Sequence, residues 1–330
     1  MHKDITLDPA TLPPAQVEIL ERARIGPMGP GRDMPSGVFR ADGSFVEASR
    51  TLISLGRFSG TPSRPADTEV RRLRGRHLYA GIGRHHFGHF LMEGIGRLWP
   101  LEALHDDIDG ILVTPMHAKD IEAIMRRRLL PFYSLLSRGK PIWLIDHPAE
   151  VDELIVPTQG FGHLDWSTGS PEFRAFIRNR IADSITPDGP ERIYVSRTKL
   201  KSPDQQVDQE ANLQRKLKRA GYTIFHPQRH TLEEQCQVYM AAREILGTDG
   251  SAFHLAPFAL QTGTRVGLIQ RRHRQELFDA LAVQITAFAD VDLTTFNTLL
   301  PRGKPELPLA EPDPMDMQAL LKALRGAGFL

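Results

Sequence analysis

The sequence predicts an α/β protein made of two Rossmann-like halves, and three observations lead there. Short apolar runs, such as Gly110-Ile111-Leu112-Val113-Thr114 and Arg265-Val266-Gly267-Leu268-Ile269, alternate with helical stretches. The runs are bounded by Gly, Pro and charged residues, so they read as buried strands joined by helices in parallel, right-handed crossovers. The alternation pauses at Pro187, Gly189 and Pro190 and then resumes, which divides the chain in two. No G-x-G-x-x-G fingerprint accompanies either half.

Taken in order, residues 1–70 are rich in Gly, Pro and Arg, show little periodicity, and are expected to form peripheral strands and loops of the first domain. Gly26-Pro27-Met28-Gly29-Pro30-Gly31 sustains neither helix nor strand. The N-terminal Rossmann-like domain spans 71–188. It contains a strand at 77–81, a helix at 86–104, a strand at 110–114, a helix from about 118 to 136, strands at 141–145 and 153–156, and a helix at 172–184. The C-terminal Rossmann-like domain spans 189–330. Its strands are expected at 192–196, 222–225, 244–248 and 265–269. Its helices are expected at 206–220, stopped by Gly221, and from Thr231, where Thr231-Leu232-Glu233-Glu234 is a capping box. A further helix begins in the 250–260 turn. A proline-rich linker, 301–314, leads to a short amphipathic helix at 315–324, expected to pack back toward the N-terminal domain.

Composition sets limits on function. The chain has 330 residues and a net charge of +1, which gives no basis for general nucleic-acid binding. Basic residues do cluster locally at Arg71-Arg72-Leu73-Arg74-Gly75-Arg76. Cys236 is the single cysteine, which excludes an internal disulfide and suits a reducing compartment. The first residues lack the apolar core of a signal peptide. The most apolar stretch, 277–289, is interrupted by Asp279 and Gln284 and reads as a buried helix. A soluble, cytoplasmic protein is therefore expected.

Chemistry concentrates in two places. The first is 85–99, where His85, His86, His89, Glu93 and Arg97 crowd a helix that follows a strand and the glycines Gly81 and Gly83. On a helix, His86, His89 and Glu93 share a face, as do His89, Glu93 and Arg97. A histidine held by a carboxylate serves as a general base near neutral pH. The same spacing also permits metal ligation through His85 and His89, although no H-E-x-x-H supports it. A surface helix whose histidines only cap and hydrogen-bond is the plain alternative.

The second place is the carboxyl end of the strands in the C-terminal half. Arg197 and Lys199 follow Tyr194-Val195-Ser196 and would direct a guanidinium fork and a point charge at phosphate. Gly247-Thr248-Asp249-Gly250-Ser251-Ala252-Phe253-His254 is a strand, a glycine turn and a helix start, where small residues let phosphate approach bare N–H groups. Ser251 or His254 could add a hydrogen bond. Asp249 repels a diphosphate unless it binds a ribose or sugar hydroxyl. An ordinary strand–turn–helix with Asp249 or Ser251 as N-cap, and a salt-bridged surface Arg197, are the alternatives.

These elements, in this order, resemble glycosyltransferase family 61, whose bacterial members are often called capsular polysaccharide biosynthesis proteins. The residues that carry the resemblance are FGHFLMEGIGRLWPL (87–101), RIYVSR (192–197) and EQCQVYMAAREILGTDGSAFHLAPF (234–258). The resemblance covers about 75–260. It implies a GT-B-like fold with the two domains facing across a cleft. It also implies a nucleotide-sugar donor held mainly by the C-terminal domain, and inverting transfer that needs no metal or other cofactor. Arg197 would contact the donor diphosphate, with Lys199, Asp249, Gly250, Ser251, Ala252 and His254 around it. His89 and Glu93 would face the acceptor, with His85, His86 and Arg97 in support. Two positions depart from the pattern. Asp249 stands where many members have a histidine in G-x-H-G-A. The arginine and Asn-Glu pair that many members carry becomes Asp204-Gln205-Gln206-Val207-Asp208-Gln209-Glu210, with Glu210 keeping the acid.

The leading expectation is thus an inverting glycosyltransferase acting on a glycan or lipid-linked acceptor in surface or capsular polysaccharide synthesis. It would work in the cytoplasm, where peripheral association with the inner face of the membrane is compatible with such an acceptor. A metal-dependent hydrolase built on His85, His89 and Glu93, and a non-catalytic nucleotide-sugar-binding relic, are the alternatives.

Overall fold

The computed structural model describes residues 6–54, 56–116, 121–202, 205–301 and 312–330. The expected helix start at 118–120, Asp204, and residues 302–311 of the proline-rich linker lie outside them. The chain divides into two compact units, 1–184 and 185–330.

The first unit is organised on a six-stranded mixed sheet. Its strands are β1 (Val17–Ile25), β2 (Val38–Phe39), β5 (Arg71–Gly83), β6 (Gly110–Pro115), β7 (Ile142–Leu144) and β8 (Ala149–Pro157), in the order β2-β1-β8-β5-β6-β7. A small hairpin of β3 (Leu52–Ile53) and β4 (Arg57–Phe58) stands apart from it. β5, β6, β7 and β8 run parallel, whereas β1 lies antiparallel to β8 and to β2. Residues expected to be peripheral therefore include a strand inside the sheet. Val17-Glu18-Ile19-Leu20-Glu21-Arg22-Ala23-Arg24-Ile25 hides its pattern, because exposed Val17 and Ile19 sit at the end of the strand where burial is lost.

β5 begins earlier than the apolar run suggested. Its basic start, Arg71 to Arg76, is held as strand by cross-strand ion pairs to β8, Arg72 to Asp152 at 2.7 Å and Arg76 to Glu153. Helices α1 (Ile121–Arg128) and α2 (Leu130–Leu136) replace the single helix expected to end at 136. Pro131 lies at the start of α2, where its missing N–H costs nothing, so the break falls just before it. Helix α3 (Pro171–Ser184) closes the unit.

The helix expected over 86–104 is broken. A turn of helix, Phe87–His89, runs into a wide π-type turn, Phe90–Gly94, and regular helix returns only at Leu101–Leu104. Gly94, Gly96 and Pro100 interrupt the pattern. Gly96 has a steric reason to be glycine: a Cβ there would lie 2.6 Å from the Phe161 carbonyl oxygen. The wide turn ends the 3.6-residue period just after Glu93, so Arg97 does not share its surroundings.

Arg97 is instead part of the core. Its side chain is fully buried and donates to Pro157 O at 3.1 Å, Thr51 Oγ1 at 3.2 Å, Ala48 O at 3.0 Å and Arg50 O. Gly81 makes room for it in β5, since a Cβ at that residue, whose φ is +88°, would sit 2.9 Å from Arg97 Nη1. Burial lowers the Arg97 pKa to about 10, so it remains charged at neutral pH. It is a tie between β5, the 48–51 segment and the end of β8.

The second unit is a five-stranded, wholly parallel sheet. The strands are β9 (Arg192–Val195), β10 (Thr223–Phe225), β11 (Glu244–Thr248), β12 (Arg265–Ile269) and β13 (Asp292–Phe296), in the order β10-β9-β11-β12-β13. Helices α4 (Glu210–Arg219), α5 (Leu232–Ala241), α6 (Ala252–Ala259), α7 (Gln275–Phe288) and α8 (Met317–Gly326) complete it. The Thr231 capping box is present: Thr231 Oγ1 accepts from Glu234 N at 3.1 Å, and Thr231 N donates to the Glu234 carboxylate at 2.7 Å. β13 was not expected; Asp292-Leu293-Thr294-Thr295-Phe296 buries only its last residue.

The C-terminal helix was expected to reach toward the first half. Its apolar positions Met317, Leu320, Leu321 and Leu324 follow the helical period, and they pack with Tyr194, Leu213, Leu246 and Phe296 in the core of its own unit. Phe329 joins the same core.

The buried tie at Arg97 yields a stability prediction. Arg97→Met leaves several buried oxygens without donors and should lower unfolding free energy by about 3 kcal/mol or more. Urea unfolding of the purified variant measures this, and a midpoint equal to wild type would refute the assignment.

Candidate functional site

The first unit gathers its ionisable groups at one point, on a buried carboxylate. β5 and β8 are parallel neighbours, and the segments after their carboxyl ends carry Arg84 and His163. Groups at that end of parallel strands face ligands in open α/β sheets. The wide turn Phe90–Gly94 places Glu93 between them, its side chain without solvent exposure. Glu93 Oε1 accepts from His89 Nδ1 at 2.8 Å and from His163 Nε2 at 2.8 Å. Arg84 Nη1 donates to Oε1 at 3.2 Å and to Oε2 at 3.1 Å.

Burial alone would raise the Glu93 pKa. The hydrogen bonds from His163 and His89, with the charge of Arg84, outweigh burial and hold it at about 2. An ionised carboxylate only accepts hydrogen bonds. His89 therefore carries a proton on Nδ1 and His163 on Nε2, which leaves the other ring nitrogen of each as the basic one when the imidazole is neutral. His89 is the more open of the two, with 27% of its side chain exposed against 15% for His163. Their rings lie 5.6 Å apart.

Gln159 explains how His163 reaches a residue so distant in sequence. Its buried side chain accepts from Leu52 N at 2.8 Å and donates to Phe161 O at 2.9 Å and Met92 O at 3.3 Å. Gly160 N also donates to Gly96 O at 2.8 Å. The 159–163 loop is thus stapled to the turn that bears Glu93.

Of the residues proposed for this half from sequence, His89 and Glu93 meet as expected. His86 is exposed, with its ring edge-on to His89 at 5.2 Å, and His85 is exposed. Arg97 lies in the core. The sequence reading missed His163 and Arg84. Gly160-Phe161-Gly162-His163, a glycine-rich run after a buried strand, is the signal that would have found His163.

The cluster could also hold a metal ion: one ligand atom each from His89, Glu93 and His163 lie within 4.8 Å of one another. Binding would require the histidine protons now given to Glu93 to leave. It would also bring a cation beside Arg84. His85 takes no part in this set.

The second unit builds its site at the topological switch point. β9 connects to β10 on one side, while the chain returns through α5 to β11 on the other, so the connections reverse between β9 and β11, the place where open α/β sheets receive ligands. Arg197 follows β9 and the 248–251 turn follows β11. Arg197 N donates to Glu210 Oε1 at 2.7 Å, and Tyr194 Oη donates to the same oxygen at 3.1 Å, which fixes the backbone behind the guanidinium. Burial lowers the Arg197 pKa, partly offset by Asp249. Gly250 has φ +153°, and a Cβ there would fall 2.3 Å from Arg197 Nη1, so the guanidinium lies directly against the glycine backbone.

Asp249 has a structural task. Its Oδ1 accepts from Arg271 N at 2.7 Å, its Oδ2 from Arg272 Nη2 at 3.4 Å, and its carbonyl from Arg271 Nε at 2.8 Å. It fixes Arg271 and Arg272, which sequence reasoning did not single out, beside the turn. Thr248 Oγ1, Gln270 Oε1 and Arg272 Nε are buried there with no hydrogen-bond partner among the described residues. Such orphaned polar atoms at strand ends suit a polar ligand.

The remaining residues proposed for this half are placed as follows. Ser251 and Ala252 are half-buried at the start of α6, where the Ser251 hydroxyl makes no cap. His254 Nδ1 contacts Gln284 Oε1 at 2.7 Å, and Gln284 Nε2 donates to His254 O at 3.0 Å. The amide's orientation therefore puts the His254 proton on Nδ1. Lys199 is exposed.

The Glu93 cluster generates a pH prediction. Its folded pKa of about 2 lies below the ordinary value of 4.5, so the stability it contributes is complete above 4.5 and is lost as pH falls toward 2. Glu93→Gln should cost about 3 kcal/mol at neutral pH and flatten the stability–pH curve over that window. Denaturant unfolding from pH 6 to pH 2 reads both, and a variant curve parallel to wild type would contradict the assignment.

A family model described as Glycosyltransferase 61 matches residues 87–267, over half of the chain, a span that holds His89, Glu93, His163, Arg197 and the 248–251 turn. No curated protein matches the chain.

Proposed function

Because the chain belongs to glycosyltransferase family 61, we propose that it moves a sugar from a nucleotide-sugar donor to a hydroxyl of a glycan or lipid-linked acceptor, by inverting transfer without a metal. The supporting observation is the β9–β11 switch point, where Arg197 lies against Gly250 with Arg271 and Arg272 nearby. A leaving nucleoside diphosphate needs fixed positive charge, and guanidinium forks match phosphate oxygens. Asp249, the departure from the family pattern, is engaged by these arginines, which reduces its repulsion of a diphosphate and weakens the case for a non-catalytic relic.

The first unit supplies the base. Glu93, buried and held at about 2, is a poor proton acceptor near neutral pH. Its role is to fix the tautomer and orientation of His89, whose other nitrogen takes the acceptor's proton, as the carboxylate does in other acid–base triads. The imidazolium that forms is stabilised by the same carboxylate. His163 holds Glu93 from the other side. Ser251, Ala252 and His254 line the donor side, whereas Lys199, expected there, lines a separate groove with Lys218 and His226; His85 and His86 stand beside the base. Among the described residues no helix is long and apolar enough to cross a membrane. The reading places the protein in the cytoplasm, working on surface or capsular polysaccharide, where a lipid-linked acceptor would draw it to the inner face of the membrane.

A metal-dependent hydrolase is the second reading, favoured by the convergence of His89, Glu93 and His163. Elemental analysis separates the two: stoichiometric zinc or manganese, with activity abolished by chelator, would establish the second.

The kinetic test is transfer from a nucleotide-sugar panel. His89→Ala should lower kcat by ~10²-fold or more with donor KM little changed. Gly250→Ala, whose methyl displaces Arg197, should instead raise donor KM about tenfold, the equivalent of ~1.4 kcal/mol. Wild-type turnover by His89→Ala would overturn the choice of base.

A further inference from the structure

A concavity lies in the 185–330 unit, on the opposite side of β9 from the β9–β11 switch point. Its volume is about 710 Å³, within the range of small-molecule sites. It runs beside β10, the edge strand of the sheet, and is lined by Thr198, Lys199, Gln214, Lys218, Thr223 and His226 among others. No carboxylate lines it among the described residues.

Three features suit an anion. Lys199 and Lys218 come from different elements, the segment after β9 and helix α4, and both charges act on His226. His226 Nδ1 is buried without a hydrogen-bond partner among the described residues, a polar atom that a ligand could satisfy. Gln214 Nε2 donates to the buried Ser196 Oγ and, at 3.1 Å, to Thr198 Oγ1, which fixes the Thr198 hydroxyl on one wall. Ala211 and Ile224 add apolar surface between these polar groups. The combination of separated cations, a fixed hydroxyl and small apolar patches matches a charged sugar, which presents carboxylate or phosphate, hydroxyls and C–H faces together. A concave site favours a discrete ligand over a membrane surface, and the net charge of +1 favours neither nucleic acid nor general polyanion binding.

We propose that the groove between β10 and α4 binds an anionic carbohydrate, through a carboxylate or phosphate group held by Lys199, Lys218 and His226, separately from the nucleotide-sugar donor. The choice of a carbohydrate rests on the transferase reading; the anion site rests on the groove alone.

The test is isothermal titration of the full chain with tri-galacturonate, glucose 1-phosphate, neutral maltotriose and UDP. The proposal expects at least one of the two charged sugars to bind and maltotriose not to bind, and the sugar that binds identifies the anion. Lys218→Glu and His226→Gln should each weaken that binding tenfold or more and leave UDP affinity as in wild type. The proposal is overturned if neither charged sugar binds, if both variants bind them as wild type does, or if UDP competes with them. It is also overturned if Lys218→Glu loses only binding to vesicles of anionic phospholipid, which would make the face a membrane contact. Failure of wild type to bind any nucleoside diphosphate counts against the transferase reading, and the charged-sugar titrations still decide the groove.

Discussion

A carboxylate shut away from water has to be neutralised where it lies, and Glu93 sets that requirement for the first unit. Three positively charged or proton-donating side chains answer it, Arg84 from the end of β5, His89 from the preceding helical turn, and His163 from the loop after β8. Breaking such a cluster leaves a buried charge without compensation, which is far more costly than losing a surface pair. The local backbone follows from this. The chain leaves helical geometry at the wide turn so that Glu93 faces inward, Gly96 lets the 159–163 loop approach, and Gln159 staples the two together. The chemistry follows as well, because a fixed, ionised acceptor determines which nitrogen of each histidine holds the proton.

The second unit solves a different problem, concentrating positive charge without unfolding the turn that carries it. Arg197, Arg271 and Arg272 would repel one another, and Asp249 tempers this from within the turn. Its carboxylate bonds to a backbone N–H and a guanidinium while Glu210 secures the Arg197 backbone from behind. Asp249 thus has a structural reason here. The acid holds Arg271 and Arg272 beside the turn that carries Arg197.

The sequence carried much of this plan. Parallel strands show as apolar runs whose hydrophobicity does not depend on the fold's details, and the Thr231 capping box and the Gly221 stop are local signals that tertiary structure did not override. The pairing of His89 with Glu93 was legible because it is local. What could not be read depended on long-range contact. His163 meets Glu93 only because β8 lies beside β5, and Arg271 and Arg272 meet the 249–250 turn only because β12 lies beside β11. Arg97 was misplaced because the helical period was carried past Gly94, where the chain had already left the helix. β1 was expected only as one of several peripheral strands and β13 not at all, because their exposed ends blur the alternation that marks a strand.

The central claim is that the β9–β11 switch point receives a nucleoside diphosphate. The most direct measurement is thermal unfolding of wild type and Arg197→Ala with UDP, GDP and CDP. The account predicts that one nucleotide, at about a hundred times its dissociation constant, stabilises wild type by ~2.7 kcal/mol and that Arg197→Ala loses most of that gain. No stabilisation by any of the three, or equal stabilisation of the Arg197 variant, would contradict it.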